Sequence, residues 1–167
     1  MSRPERRVAI AKDVLSQIHT RKIKVKTGFY LHPVKVRVES SRNEQIREIK
    51  KKCSACARGS MMLCRLGYDT KHDLQDIVIG GGSFMGYVKA NRSDTSDILS
   101  DAFTERQLNT IENAFECDLV IEEFKGQNVY MYSHLKPKDR LIAIMQNIID
   151  HNGEYKHDVE YEVVWSE

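Results

Sequence analysis

Proline and glycine are scarce in this sequence of 167 residues, which contains three prolines and nine glycines. Disordered chains are usually rich in these residues and poor in apolar ones, so this scarcity and a hydrophobic content of 41% predict a folded chain. No segment approaches the roughly 20 apolar residues of a membrane span, and no apolar signal-peptide core follows the charged start. We therefore expect one cytoplasmic domain, residues 1–167, with no membrane partner.

Cysteine is also rare, with four copies, and a reducing compartment favours free thiols over disulfides. Cys53 and Cys56 form a C-x-x-C motif, which suggests a zinc site only if further ligands are near. On a continuous helix, Cys56 and Cys64 would lie about 12 Å apart along the axis, too far for one site. The three cysteines instead share the helix face that carries isoleucine and leucine. We expect buried thiols, with no metal and no other cofactor.

Each half of the chain has little charge of one sign. Residues 1–71 contain 18 Lys and Arg but only 6 Asp and Glu, whereas residues 72–167 contain 8 and 18. The formal net charge of +2 therefore conceals a basic segment, 1–71, and an acidic segment, 72–167. Such asymmetry indicates polyanion binding or a protein interface. The alternative is that the two segments fold together and neutralise each other.

Hydrophobic periodicity predicts several amphipathic helices. Apolar residues recur every three or four positions over residues 4–20. Thr104 and Gln107 have the spacing of a capping box, which predicts a helix directly after Thr104. A further helix begins near Pro137 and stops at Gly153.

Alternation of apolar and charged residues predicts strands. Ile23 and Val25 alternate with lysines, and Val34 opens a second alternating run. We expect these runs to pair as a basic β-hairpin over residues 22–37. Residues 159–166 alternate in the same way and predict a short closing strand. The predicted fold class is α+β: a helix-rich single domain with a basic β-hairpin and a short C-terminal strand.

Basic side chains are expected to line up on two adjacent elements. Residues 40–43 offer N-cap candidates for a long helix, whose apolar and small residues recur from Ile46 to Gly67. At 100° per residue, four cations fall within about 40° of one another, opposite that apolar face: Arg47, Lys51, Arg58 and Arg65. The hairpin turns five more outward: Lys22, Lys24, Lys26, Lys35 and Arg37. These nine are the predicted binding residues, although exposed helix faces and edge strands also carry charge for solubility.

A glycine cluster is the other candidate site, a loop for a small ligand: Gly80, Gly81, Gly82 and Ser83. A Walker loop would need lysine where Tyr87 stands, and a nucleophile elbow on Ser83 would need glycine at Met85. A flexible turn is the simpler interpretation. The six histidines form no ligand or catalytic pattern, so we predict no catalytic residue.

Three stretches carry a family resemblance: residues 8–15, the C-S-A-C-A-R-G block at 53–59, and residues 140–149 with the Asn-Gly pair that follows. They resemble small, uncharacterised accessory proteins of tailed bacteriophages, in which a C-x-x-C-A-x-G helix precedes a capped F-x-x-x-Q-L helix like residues 103–108. The resemblance implies expression inside a bacterium, among genes that redirect or disarm host systems. Residues 22–37 match least well.

The leading hypothesis is a binding protein without catalysis that engages a host protein or nucleoprotein through its charged faces. A defence system such as a CRISPR effector is one such target. The first alternative is a module that binds nucleic acid directly. The second is a small-ligand protein that uses residues 80–86, either a sponge for a signalling nucleotide or an enzyme of unrecognised type. Head-to-tail pairing of the basic and acidic segments could also give a homo-oligomer.

Overall fold

The computed structural model describes most of the chain: residues 1–20, 22–28, 30–31, 34–37, 41–52, 54–66, 78–79, 85–88, 90, 92–117, 120–124 and 127–156. Within them lie six helices: α1 (Arg3–His19), α2 (Arg42–Lys52), α3 (Ala57–Leu66), α4 (Arg92–Leu99), α5 (Glu105–Glu116) and α6 (Pro137–Asp150). The same residues form seven short strands: β1 (Lys24–Val25), β2 (Val34–Arg37), β3 (Ser54–Ala55), β4 (Val78–Ile79), β5 (Met85–Val88), β6 (Val120–Phe124) and β7 (Gln127–Tyr130). The predicted helix-rich α+β class is confirmed.

The helices at the two ends of the described chain form as predicted and pack together. Ser2 caps α1 in a reciprocal capping box with Glu5, which satisfies two backbone N–H groups. Pro137 opens α6, whose buried face includes Leu141, Ile144, Met145 and Ile148. Gly153 ends the turn after α6 at a φ of 92°, and a Cβ there would lie 2.5 Å from the backbone oxygen of Pro4. This glycine therefore lets the α6 terminus close on the start of α1.

The third predicted helix is also confirmed. Thr104 accepts a hydrogen bond from the backbone N–H of Gln107 at 3.3 Å, and the Gln107 side chain accepts one from the Thr104 N–H at 3.0 Å. Helix α5 buries Leu108, Ile111 and Phe115 against α3 and α6.

The predicted basic hairpin is wrong. β1 pairs in parallel with β3, so that Lys24 faces Ser54, whereas β2 pairs antiparallel with β5, from Val34 opposite Val88 to Arg37 opposite Met85. β4 extends that second sheet on the other edge of β5, and β6 with β7 forms a separate antiparallel pair. Alternation identified both runs as strands but carried no information about their partners, because pairing depends on the whole fold.

The predicted long helix is also wrong, because it is two helices interrupted by β3. The break is stabilised at both sides: the Lys26 N–H donates to the Ala55 carbonyl at 3.0 Å, and the Cys56 carbonyl accepts from the backbone N–H of Ser60 at 2.9 Å. Cys56 thus takes the position of an N-cap for α3. Because α3 begins as a new helix after residue 56, its faces do not continue those of α2.

Helix α3 runs through the centre of the fold. Residues 57–64 are all buried, and α1, α4 and α5 pack around them. Cys56 and Cys64 are both buried, as predicted, while Cys53 lies outside the described residues. Gly59 is required here, because a Cβ at this position would stand 1.6 Å from the backbone oxygen of Tyr30. This close approach brings the segment around Tyr30 directly onto α3.

Two predictions lie outside the described residues: the glycine cluster with Ser83, and the closing strand at 159–166. Among the helices that the structure describes, none is both long enough and apolar enough to span a membrane. Over the same residues, no three His, Cys, Asp or Glu side chains are placed to share a metal ion.

Candidate anion-binding surface

Seven of the nine predicted cations are exposed to solvent: Lys22, Lys24, Lys26, Lys35, Arg37, Arg47 and Lys51. They lie on or beside β1, β2 and α2. The other two, Arg58 and Arg65, lie on α3 and form ion pairs with residues of the acidic segment. The predicted single stripe of cations therefore does not exist, because the break after α2 turns the α3 arginines away from the α2 face.

Arg58 is fully buried, with 0% of its side chain exposed. Its Nη1 donates to Glu112 Oε2 at 2.9 Å, and its Nη2 donates to Glu105 Oε2 at 3.2 Å and to Ser96 Oγ at 2.6 Å. The guanidinium carbon lies 5.6 Å from the centre of the Tyr30 ring, within cation–π range. The sequence prediction that Arg58 is exposed is wrong, and this residue joins α3 to α4 and α5.

Two ionisable groups around Arg58 have shifted pKa values. Hydrogen bonds from Ser96, Arg92 and Arg58 lower the pKa of Glu105 to about 2. Tyr30 has a pKa raised to about 12, first because burial disfavours the phenolate and then because its hydroxyl is hydrogen bonded to Glu112. Arg58 therefore belongs to an internal network in which both of its Nη nitrogens are hydrogen bonded, and it is not exposed to a partner.

Arg65 is engaged in a second network, with α1. Arg65 and Arg6 both donate to Oδ2 of Asp101, and the Arg6 contact is 3.1 Å long. The basic and acidic segments thus neutralise each other in part inside the fold, which was the alternative interpretation of the charge asymmetry.

The remaining cations include a group around a surface depression, which we call the α2–β2 depression. Its volume is about 570 Å³, and it is lined by Arg37 of β2 and by Glu44, Arg47, Glu48, Lys51 and Lys52 of α2. The α2 positions are spaced three and four residues apart, so they form one face of the helix, while Ile46 and Ile49 are buried on another. Four cations and two carboxylates meet there.

Both carboxylates of the depression are engaged within the protein. Glu44 accepts hydrogen bonds from the N–H and the hydroxyl of Ser41, at 3.0 and 2.9 Å, and these lower its pKa. Glu48 forms an ion pair with Lys52 and accepts the Arg37 backbone N–H at 3.2 Å; the Lys52 contact is the main cause of its lowered pKa. Arg47 and Lys51 remain exposed on the same face.

The strand pairing places β1 close to the chain segment that follows α2. Lys24 of β1 stands opposite Ser54, which follows the end of α2 by two residues. Lys22 and Lys26, on either side of β1, are exposed as well. The backbone of β1 therefore lies near the end of α2 through its pairing with β3, and not through a hairpin with β2.

Sequence reasoning missed Lys52 as a member of the surface, although its spacing of four residues from Glu48 places it on the same helix face. No family model, curated protein or solved structure matches the chain.

Proposed function

We propose that this chain is a non-catalytic binding protein, and that the α2–β2 depression and the exposed lysines beside β1 contact an anionic partner. One observation carries the proposal: the carboxylates in the depression are engaged with Ser41, Lys52 and the Arg37 backbone, while Arg47 and Lys51 are exposed beside them. A positive surface of this kind attracts an acidic partner and speeds its association.

The partner that we propose is an acidic protein or a nucleoprotein of a bacterial host. This part of the proposal rests on the resemblance to phage accessory proteins, whose setting is the inside of a bacterium. A defence complex such as a CRISPR effector is a nucleoprotein of this kind, since it contains protein and bound nucleic acid.

A pull-down from bacterial lysate tests this proposal. The unaltered chain and an Arg47→Glu/Lys51→Glu variant are compared, with and without nuclease treatment. We expect a stoichiometric partner that the reversal variant loses. The matched control is Lys12→Glu/Lys138→Glu, which changes the net charge equally at exposed positions of α1 and α6. The proposed surface would be rejected if the Arg47→Glu/Lys51→Glu variant still recovers the partner, or if both variants lose it equally.

Direct binding of nucleic acid is the second candidate. The observation that favours it is that exposed cations lie at several places, on α2 and at Lys22, Lys24 and Lys26, because a nucleic-acid backbone is bound by several cations spread along its length.

A salt titration with single- and double-stranded DNA and RNA tests the second candidate. Binding should weaken steeply with salt, and Lys51→Gln should reduce the slope of log K against log salt by about one for duplex DNA. Undetectable binding at low salt would rule out this candidate and leave the protein partner. If the pull-down recovers a partner from untreated lysate but not from nuclease-treated lysate, the result favours nucleic-acid binding.

A further inference from the structure

A cavity of about 360 Å³ lies between α1 and the last turn of α3, away from the α2–β2 depression. The α1 residues that line it are Arg6, Ala9, Ile10 and Asp13, whose spacing of three and four puts them on one helix face. Its volume falls within the range of about 300–1,000 Å³ that is common for small-molecule sites. At about 30 Å³ per water-sized group, it accommodates a ligand of roughly ten non-hydrogen atoms.

The middle of the cavity is apolar. Ile10 and Cys64 are buried and form its inner wall, while Met1 and Ala9 are exposed at its mouth. Burial raises the pKa of the Cys64 thiol, which is also hydrogen bonded to Asp13, so the thiol is neutral and contributes an apolar surface.

The two ends of the cavity carry opposite charge. At one end stand the guanidinium groups of Arg6 and Arg65, which share the single Oδ2 oxygen of Asp101 and so keep further N–H donors. At the other end is Asp13, seven residues and therefore about 10 Å along the α1 axis from Arg6. The Asp13 carboxylate is engaged with Gln17, at 3.0 Å, and with Cys64.

We propose that this cavity binds a small monocarboxylate with an unbranched or compact apolar body of about seven or eight carbons. The ligand carboxylate accepts hydrogen bonds from Arg6 and Arg65, and its apolar body packs against Ile10 and Cys64. Asp13 selects against a second negative charge at the far end of the ligand, since two facing carboxylates repel each other. Asp101 lies behind the arginines and holds them in place.

Octanoate is the probe that tests the proposal, and octanamide and octanedioate are its matched controls. Binding is followed through the Ile10 methyl signal by nuclear magnetic resonance, with an Ile10→Val variant to assign it. We expect saturable octanoate binding, and about tenfold weaker binding of the neutral amide, which forfeits the charged hydrogen bonds. Octanedioate should also bind about tenfold more weakly, and Asp13→Asn should remove most of that difference.

Two variants locate the carboxylate. Arg6→Gln should weaken octanoate about tenfold and leave octanamide unchanged, whereas Arg47→Gln, in the α2–β2 depression, should have no effect. The absence of a saturable Ile10 shift, or equal affinity for octanoate and octanamide, would overturn the proposal. This comparison uses the unaltered protein, so it holds even if Arg6→Gln fails to fold. Because Arg47 and Lys51 take no part, the result is independent of the proposed function.

Discussion

Nη1 of Arg58 lies 2.9 Å from Oε2 of Glu112, and through this contact the centre of the basic segment is joined to the acidic one. Arg58 is fully buried, whereas 21% of the Glu112 side chain is exposed. A buried guanidinium needs hydrogen-bond acceptors on several sides, and Glu105 and Ser96 supply others. Charge asymmetry along this chain therefore serves in part to build its interior.

Removal of the Arg58 guanidinium should destabilise the fold. Arg58→Met removes the cation paired with Glu112 and leaves Glu105 paired with Arg92 alone, and because both carboxylates are partly exposed we expect a loss of roughly 2–3 kcal/mol. Arg58→Lys should be intermediate, since it keeps the charge but not the fork of donors. Urea unfolding measures both, with exposed Arg47→Met as the control, expected within about 0.5 kcal/mol of the unaltered chain. A similarly small change for Arg58→Met would contradict the network.

Acid should weaken the same network through Glu105. Its folded-state pKa of about 2 lies below the ordinary value of 4.5, so ionised Glu105 stabilises the fold above about pH 4.5. That contribution is lost as the pH falls from 4.5 towards 2. Glu105→Gln should therefore flatten the fall of the urea midpoint over this window, while Glu154→Gln, an exposed carboxylate elsewhere, should not. Equal pH dependence for Glu105→Gln and the unaltered chain would refute the assignment.

Gly59 should not tolerate a side chain. Alanine gains about 1 kcal/mol over glycine in an ordinary helix interior. Here, however, its Cβ would overlap the backbone oxygen of Tyr30. We expect Gly59→Ala to lower the free energy of unfolding by about 2 kcal/mol, as overpacking does. Asn113→Ala, at an exposed position of α5, is the control and should be neutral or slightly stabilising. If the Gly59→Ala chain is as stable as that control, the backbone of Tyr30 does not lie against residue 59.

The core thiols should resist alkylation. Burial raises the pKa of Cys56 to about 12, and it raises that of Cys64 as well, so neither forms the reactive thiolate near neutral pH. Iodoacetamide labelling at pH 7.5 followed by peptide mass spectrometry reports each cysteine separately. We expect Cys56 and Cys64 to be modified only after unfolding in urea. Rapid labelling of either in the folded chain would show that α3 is not central to the core.

Local signals made α1, α5 and α6 predictable. Each has a strong period of apolar residues, and each begins at a recognisable signal: Pro4, Thr104 and Gln107, or Pro137. These devices act over three or four residues, so the sequence around them is sufficient. The burial of Cys56 and Cys64 was predicted correctly, but from the face of a continuous helix that does not exist; both are buried because α3 is central to the fold.

The candidate surface was only half predictable. Arg47 and Lys51 lie on the exposed face that the periodicity of α2 predicts, and the lysines beside β1 are exposed as expected. On a continuous helix, Arg58 and Arg65 would lie on the same face as Arg47 and Lys51. The helix is interrupted after α2, so they do not. The break leaves little signal in the sequence, because β3 is only two residues long.

The sequence by itself determined the α+β class, the strongest helices and their caps, and the concentration of positive charge in residues 1–71. Tertiary structure alone decided which strands pair, where the long helical pattern breaks, and which cations reach solvent. The physical reason is range: caps and helical periodicity act between neighbours in the chain. The pairing of β2 depends on β5, and the burial of Arg58 depends on Glu105 and Glu112. These partners are distant in the sequence and come close only when the chain has folded.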